Sequence, residues 1–336
     1  MSKLLLVCAA FFISHLVTTP VLAANRDLAP DNSQESTTTK TLRIGFGSCW
    51  AAHDDTVWKV IEDQKLHYFV PLGDNVYLPS NVTPDKSLYE ETYDKLFSGL
   101  HFQHLRHSVT LLPIWDDHDY GRNNSDSTYV GRAFAEGNFR KYWNISKRPE
   151  GFDRGIHRIY QTDLVKFILT DNRSFRESPA RVQSTAHFGK EQVAWIKREI
   201  ETSKTPIILA SGGQFFAEGK SFENLKQHPD EYRELRQAIA TAPQPIIIIS
   251  GDRHFAEITD LDLNGKHVFE VTSSPLAGHI ESGAKIRPQK GRIAVYRGSP
   301  NFGVLTLTSE PRGLSVLVEI KRNDGSVALN HFGVLH

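Results

Sequence analysis

Cysteine is scarce in this chain: among 336 residues there are two, Cys8 and Cys49. An excess of either charge is lacking too, because 39 basic residues balance 39 acidic ones and no basic block interrupts the mixture. That balance gives no footing for a nucleic-acid surface or for a polybasic helix lying on a membrane. Beyond the extreme N-terminus there is no long apolar run, so no membrane span is expected in the body of the chain. Internal repeats are also absent.

What is present begins with a leader. Lys3 precedes the apolar stretch LLLVCAAFFISHLV, and PVLA ends in small residues suited to cleavage after Ala23. Residues 1–23 are expected to be a signal peptide and 24–40 a polar, flexible linker. Residues 41–336 are expected to form one domain. An uncleaved anchor is the alternative. No twin arginine precedes the apolar stretch, which favours the general secretory route. The mature protein is therefore expected to be secreted or periplasmic, with no stable membrane insertion. Cleavage removes Cys8 and leaves Cys49 unable to form an intramolecular disulfide. A lone thiol outside the cytoplasm is open to oxidation. Three readings stand: a buried small hydrophobe, a metal-bound thiolate, or a nucleophile.

Strand-like runs recur from TLRIGFG (41–47) to LSVLVEIKR (314–322). Helix-like stretches intervene at His53–Lys65, Asp85–Phe97, Ala133–Tyr142, Gly189–Ser203 and Phe222–Ala240. Alternation of the two through the first two-thirds suggests βαβ units. The last third reads as strands and turns. Four apolar runs end in groups able to bind metal. IGFGSC ends in Cys49, and YFVPLGDNVY carries Asp74 and Tyr77. LLPIWDDHDYGRNN carries Asp116, Asp117, His118, Asp119 and Asn123, while IIIISGDRH ends in Asp252 and His254. In open α/β sheets ligands gather beyond the carboxyl ends of strands, so these groups are expected at one rim.

The chemistry of each group differs. A carboxylate such as Asp74 can bridge two cations, and a phenolate binds a hard trivalent ion. Taken alone, GDNVY is also an ordinary turn. Acids packed around a histidine in WDDHD repel one another unless a cation or proton offsets them. SGDRH repeats that arrangement after four consecutive isoleucines, where packing alone does not call for Asp and His. His101, His104 and His107 stand at helical spacing and are read as a helix before the VTLLPIW strand. Tyr89, Tyr93, Phe97 and Phe102 read as a core stripe, with the border of a pocket as the alternative. Asp171 is expected to orient its neighbours.

The ordered set GSCW, VPLGDNVY, IWDDHDYGRNN, LTDNRSFR, SGDRHFAE and SPNFGVLTL resembles the alkaline phosphatase D (PhoD-like) family of calcineurin-like metallophosphoesterases. It spans about Arg43 to Leu307. The resemblance implies an α/β fold in which two mixed β-sheets pack face to face between helices, an αββα sandwich. It implies Fe3+ held by Cys49, Asp74, Tyr77 and His254, with Asp74 bridging to Ca2+. Asp252, Asn123 and Asp117 would be further ligands, with Asn124 as the alternative to Asn123. His118 would sit beside the metals and donate to the phosphate or the leaving oxygen. Arg122, Arg173 and Arg253 are candidates to grip a phosphate oxygen, or are structural arginines. The implied activity is hydrolysis of a small-molecule or lipid phosphoester by a metal-bound hydroxide attacking in line. Two other readings are a cysteine hydrolase built on Cys49 and a non-catalytic exported metal- or phosphate-binding protein. No motif chooses a monoester over a diester, or sets the oligomeric state.

Overall fold

A computed structural model describes residues 40–51, 55–79, 85–177, 186–218, 223–282, 289–311 and 313–336. The expected leader and nearly all of the expected linker lie outside the described residues. So does His53, with which the first helix was expected to begin.

The chain opens with β1 (Thr41–Gly47), α1 (Thr56–Glu62), β2 (Tyr68–Pro71), α2 (Lys86–Ser98), α3 (Leu100–Ser108) and β3 (Thr110–Leu111). After α4 (Asp117–Tyr120) and α5 (Arg132–Tyr142) come β4 (Arg158–Gln161), β5 (Lys166–Leu169), α6 (Lys190–Thr202) and β6 (Ile207–Ser211). A 3-10 turn at Leu225–Gln227 precedes α7 (Pro229–Thr241) and β7 (Ile246–Ser250). The remainder is β8 (Ala256–Leu263), β9 (Lys266–Thr272), β10 (Arg292–Tyr296), β11 (Asn301–Glu310), β12 (Gly313–Arg322) and β13 (Val327–Leu335).

These strands form two mixed sheets, ordered β13-β12-β11-β1-β2-β3 and β10-β8-β9-β7-β6-β5-β4. In the first, β1, β2 and β3 run parallel; in the second, β5, β6, β7 and β9 do. The two parallel sets explain why runs such as IIIIS in β7 are apolar throughout: both faces are covered. One core joins the sheets, with Phe46 and Val304 from the first and Ile208, Ile247 and Ile249 from the second. The opposite faces of the same strands carry Leu209, Ile246 and Ile248 against Trp195, Ile196 and Ile239 of α6 and α7. On the first sheet Trp58 of α1 meets Phe69 of β2 and Phe102 of α3 edge-on. The order helix, sheet, sheet, helix is the αββα sandwich that the motif set implied.

Three boundaries differ from the sequence reading, each for a local reason. VTLLPIW pairs as a strand over two residues only, because Pro113 has no N–H to donate. The segment still runs beside β2, with Leu112 and Ile114 donating to Phe69 and Pro71 carbonyls. The helix expected from Phe222 starts at Pro229, since a residue before proline avoids helical angles and His228 adopts φ −117°, ψ 76°. The expected helix to Lys65 stops at Glu62, and Lys65 itself takes φ 54°. The strand at Thr41–Gly47 and the helices at Lys86–Ser98, Arg132–Tyr142 and Lys190–Thr202 lie within a residue of expectation. His101, His104 and His107 lie on α3, and Tyr89, Tyr93 and Phe102 are buried as a core stripe.

Candidate active site

The parallel strands of both sheets deliver their C-terminal ends to one rim. β1 runs into Ser48 and Cys49, β2 into Gly73 and Asp74, and β7 into Gly251 and Asp252. The segment beyond β3 runs into Asp116 and α4, and that beyond β5 into Asn172 and Arg173. Backbone bonds lock the turns together: Cys49 and Trp50 donate to the carbonyls of Gly73 and Asp74, and Ala277 donates to Cys49. Gly73 sits at φ 104°, and a Cβ there would lie 2.5 Å from Cβ of Asp116. Only glycine lets these two turns come so close.

Several candidate ligands occupy strained backbone. Cys49, Asp74, Asp252 and His254 have φ of 62°, 52°, 66° and 53°. Left-handed angles cost a non-glycine residue roughly 1 kcal/mol or more each. Their concentration on one rim means that side-chain direction, rather than backbone comfort, dictates these turns.

Asp74 is the hub. Its Oδ2 accepts from the Tyr77 hydroxyl at 3.1 Å and from the Cys49 thiol at 3.5 Å. Its Oδ1 accepts from the backbone N–H of His118 at 3.2 Å. Asp74, Asp117 and His118 each offer one ligand atom, all within 4.8 Å of one another. The Tyr77 ring lies against the His118 imidazole with centroids 4.2 Å apart. Asp252 joins through Ser48, whose Oγ lies 3.1 Å from the Cys49 sulfur and accepts from the Asp252 backbone at 3.0 Å. His254 is held by its backbone N–H, which donates to Ser274 Oγ at 2.7 Å.

The electrostatics are those of a place short of positive charge. Burial pushes the Asp74 carboxyl well up, and Asp117, Asp116, Asp119 and Asp252 push it further. Asp252 is raised to about 8 by burial and by the charge of Asp116. The Cys49 thiol and the Tyr77 phenol are both raised by burial and by Asp74. Asp117 goes the other way: burial opposes its charge, but Arg173, His118 and the Asn124 N–H outweigh that and hold it below the usual carboxylate range. Burial lowers the imidazoles of His118 and His254, while the charge of Asp117 and the bond from Asn123 draw His118 partly back up.

Among the described residues, Asp116 Oδ2, Asp117 Oδ1 and Asn172 Oδ1 are buried oxygens without a hydrogen-bond partner. Unpartnered buried acceptors beside a thiol, a phenol and two imidazoles are donors for a cation, and the set of types fits a mixed hard and borderline metal site. The donor chemistry therefore agrees with a resident metal.

The remaining expected residues sort by exposure. Asn123, Asn124 and Arg122 are exposed in the loop after α4. The Asn123 side chain bonds His118, whereas Asn124 reaches Asp117 Oδ2 by its backbone N–H at 2.5 Å. Arg253 is partly exposed, 3.7 Å from the Asp252 carboxylate. Arg173, read as a candidate to grip phosphate or as a structural arginine, is fully buried behind the rim. Its guanidinium meets Asp116 at 2.5 Å, Glu223 at 2.7 Å and the Ser125 carbonyl at 3.2 Å. Removal from solvent is the physical reason that it belongs to the scaffold. Asp171 orients its neighbours, accepting from Trp115 Nε1 at 2.7 Å and from backbone N–H groups of Ile156, Arg173 and Ser174.

Sequence reasoning passed over Ser48, Asn172, Ser274 and Glu223. Ser48 and Asn172 stand inside quoted motifs beside named residues, so adjacency was the available signal. Asn172 Nδ2 donates to Asp116 Oδ1 at 2.7 Å. Glu223 had no signal, since only folding brings it to Arg173.

Two mixed sheets packed face to face, with acids, a thiol, a phenol and imidazoles brought to one rim, define the calcineurin-like metallophosphoesterase fold. A PhoD-like phosphatase family model matches residues 45–308, and the chain belongs to that family. The solved structure of PhoD superposes with a TM-score of 0.66 at 18% identity, covering 88% of this chain and 68% of that one. Tartrate-resistant acid phosphatase type 5 of Oryctolagus cuniculus is 25% identical over 170 residues, 48% of each chain. The chain thus spans about half the length of that relative.

Proposed function

We propose that the protein is an exported metal-dependent phosphoester hydrolase. The observation that carries this reading is the crowding of buried acids around Asp74, with a thiol and a phenol on its Oδ2 at 3.5 and 3.1 Å. Family membership and the phosphatase named among its relatives support the same chemistry. Cys49, Asp74, Tyr77 and His254 would hold iron(III), and Asp74, Asp117, Asn123 and Asp252 a calcium ion. Bound cations there would clamp phosphate oxygens, offset their charge and lower the pKa of water.

The chain's own residues would do the rest. His118 is oriented by Asn123 and by the negative charge of Asp117. It would donate to a phosphate oxygen and pass a proton to the departing alkoxide. Arg122 and Arg253 stand at the rim, where a guanidinium fork can meet a non-bridging oxygen. Gly73 and Gly251 keep the turns close, so the ligand oxygens stay preorganised. Export would bring the mature chain into a secreted or periplasmic setting, with Cys49 protected from oxidation as a bound thiolate.

The test is elemental analysis and a visible spectrum of the purified protein, with paired assays of p-nitrophenyl phosphate and bis-p-nitrophenyl phosphate. Iron with a thiolate or phenolate charge-transfer band, lost in Cys49→Ala or Tyr77→Phe, is expected. Activity that survives exhaustive chelation would reject the metal reading and favour a thiol hydrolase. Retained metal without turnover of either ester would favour a binding protein.

A further inference from the structure

Beside the rim lies a cavity of about 360 Å³. Trp50, Val76, Tyr77, Pro79, Leu88 and Thr92 contribute to its wall. It adjoins the candidate active site through Tyr77, whose hydroxyl donates to Asp74 and which also lines the cavity, and through Trp50, which directly follows Cys49. The wall on the helical side is a face of α2 beside that of its buried tyrosines. Tyr89 and Tyr93 point into the core, while Leu88, Thr92 and Ser98 face the cavity.

The charged groups at this wall already have partners. Lys95 pairs with Glu91 at 3.0 Å. The Asp55 carboxylate accepts from the backbone N–H groups of His101 and Phe102 at 2.7 and 3.3 Å. What the cavity offers a visitor is therefore mainly indole, phenol and aliphatic surface, edged by the Glu91–Lys95 ion pair and the hydroxyls of Thr92 and Ser98, with no uncompensated charge. Its volume lies within the range of ligand pockets, and is about twice that of an engineered apolar cavity that takes up benzene.

We propose that this cavity is the subsite for the organic substituent of the phosphoester, and that the substituent is uncharged and apolar, an aryl or alkyl group. The inference rests on the phosphoesterase reading above and names the substrate class for it. Phosphate at the rim places its ester oxygen beside Tyr77, and an apolar substituent then enters between Trp50 and α2. Sugar or glycerol substituents would bury less apolar surface against Trp50, Val76, Pro79 and Leu88 and gain less from it.

The experiment is calorimetric titration of the metal-loaded protein with inorganic phosphate and with methyl-, butyl- and hexylphosphonate. These carry one substituent and are not hydrolysed. Each methylene that enters the cavity should tighten binding by up to about fourfold, and hexyl should bind at least about tenfold tighter than methyl. Thr92→Phe, which fills the cavity from α2, should abolish that gradient and leave inorganic phosphate unchanged. Ser98→Trp, made at an exposed position on the same wall, serves the same purpose should Thr92→Phe fail to fold. A flat series in the unaltered protein overturns the proposal while phosphate binding upholds the phosphoesterase reading. A gradient undiminished in both variants also overturns it, since the apolar contact then lies elsewhere. Failure of phosphate and every phosphonate to bind overturns the parent reading and this one with it.

Discussion

Arg173→Met removes the buried cation that the site's acids lean on. The guanidinium contacts Asp116 and Glu223 at 2.5 and 2.7 Å, and its pKa is driven up by Asp116, Glu223 and Asp117 despite the opposing effect of burial. Methionine keeps much of the side-chain volume and removes the charge, leaving Asp116 buried and unpaired. Removing one partner of a buried pair costs about 3–5 kcal/mol. Urea unfolding in the presence of chelator, followed by the fluorescence of the five tryptophans, reads this directly. The cost should depend on pH. With Arg173 in place, Asp116 already sits near 6, raised by burial. Without Arg173 it rises further, so the folded variant holds a proton that the unfolded chain releases near about 3.9. Below about 6 Asp116 is protonated in both folded proteins, so the variant's deficit is smallest there and grows as pH rises above 6, where only the unaltered protein releases the proton. Adding Asp116→Asn removes the orphaned charge, and the double variant should be more stable than the sum of the two single costs predicts, by at least about 2 kcal/mol. Additivity within about 0.5 kcal/mol, or a deficit that does not change with pH, would refute the reasoning.

Two further outcomes are expected. His118→Asn should lower kcat for phenyl phosphate by about 100-fold or more and lower that for p-nitrophenyl phosphate less, because the better leaving group needs no proton; equal losses would reject His118 as the acid. Glu270 accepts from the backbone N–H groups of Phe215 and Phe216 at 2.7 and 2.9 Å, yet burial still raises its pKa to about 7. An acid with a raised folded pKa loses stability as pH climbs from its unfolded value toward 7 and levels off above. Glu270→Gln should lack that decline, so its Tm relative to the unaltered protein should improve from pH 4.5 to 7; a constant difference would count against it.

Much of the rim was legible because chemistry and position coincide along the chain. Cys49, Asp74, Asp117, Asp252 and His254 each follow an apolar run, and a run long enough to bury both faces announces a parallel strand. Strands with polar residues among the apolar ones, or with little buried surface, were harder to see. β8 carries Glu257, Thr259, Asp260 and Asp262, β4 is largely exposed, and β13 alternates, so none offers a continuous apolar signal.

From the sequence alone follow the parallel strand runs, the turn chemistry at their ends and the types of donor placed there. These are local properties, set by side-chain polarity and backbone preference within a few residues. Folding alone decided which donors meet. Ser48 bridging Cys49 to Asp252, Glu223 closing on Arg173, and the sealing of Arg173 away from any substrate all depend on contacts between segments 50 to 204 residues apart. No local rule encodes such distances. They arise because two sheets stack with their strand ends on one edge, and burial then determines which charges face the site and which face each other.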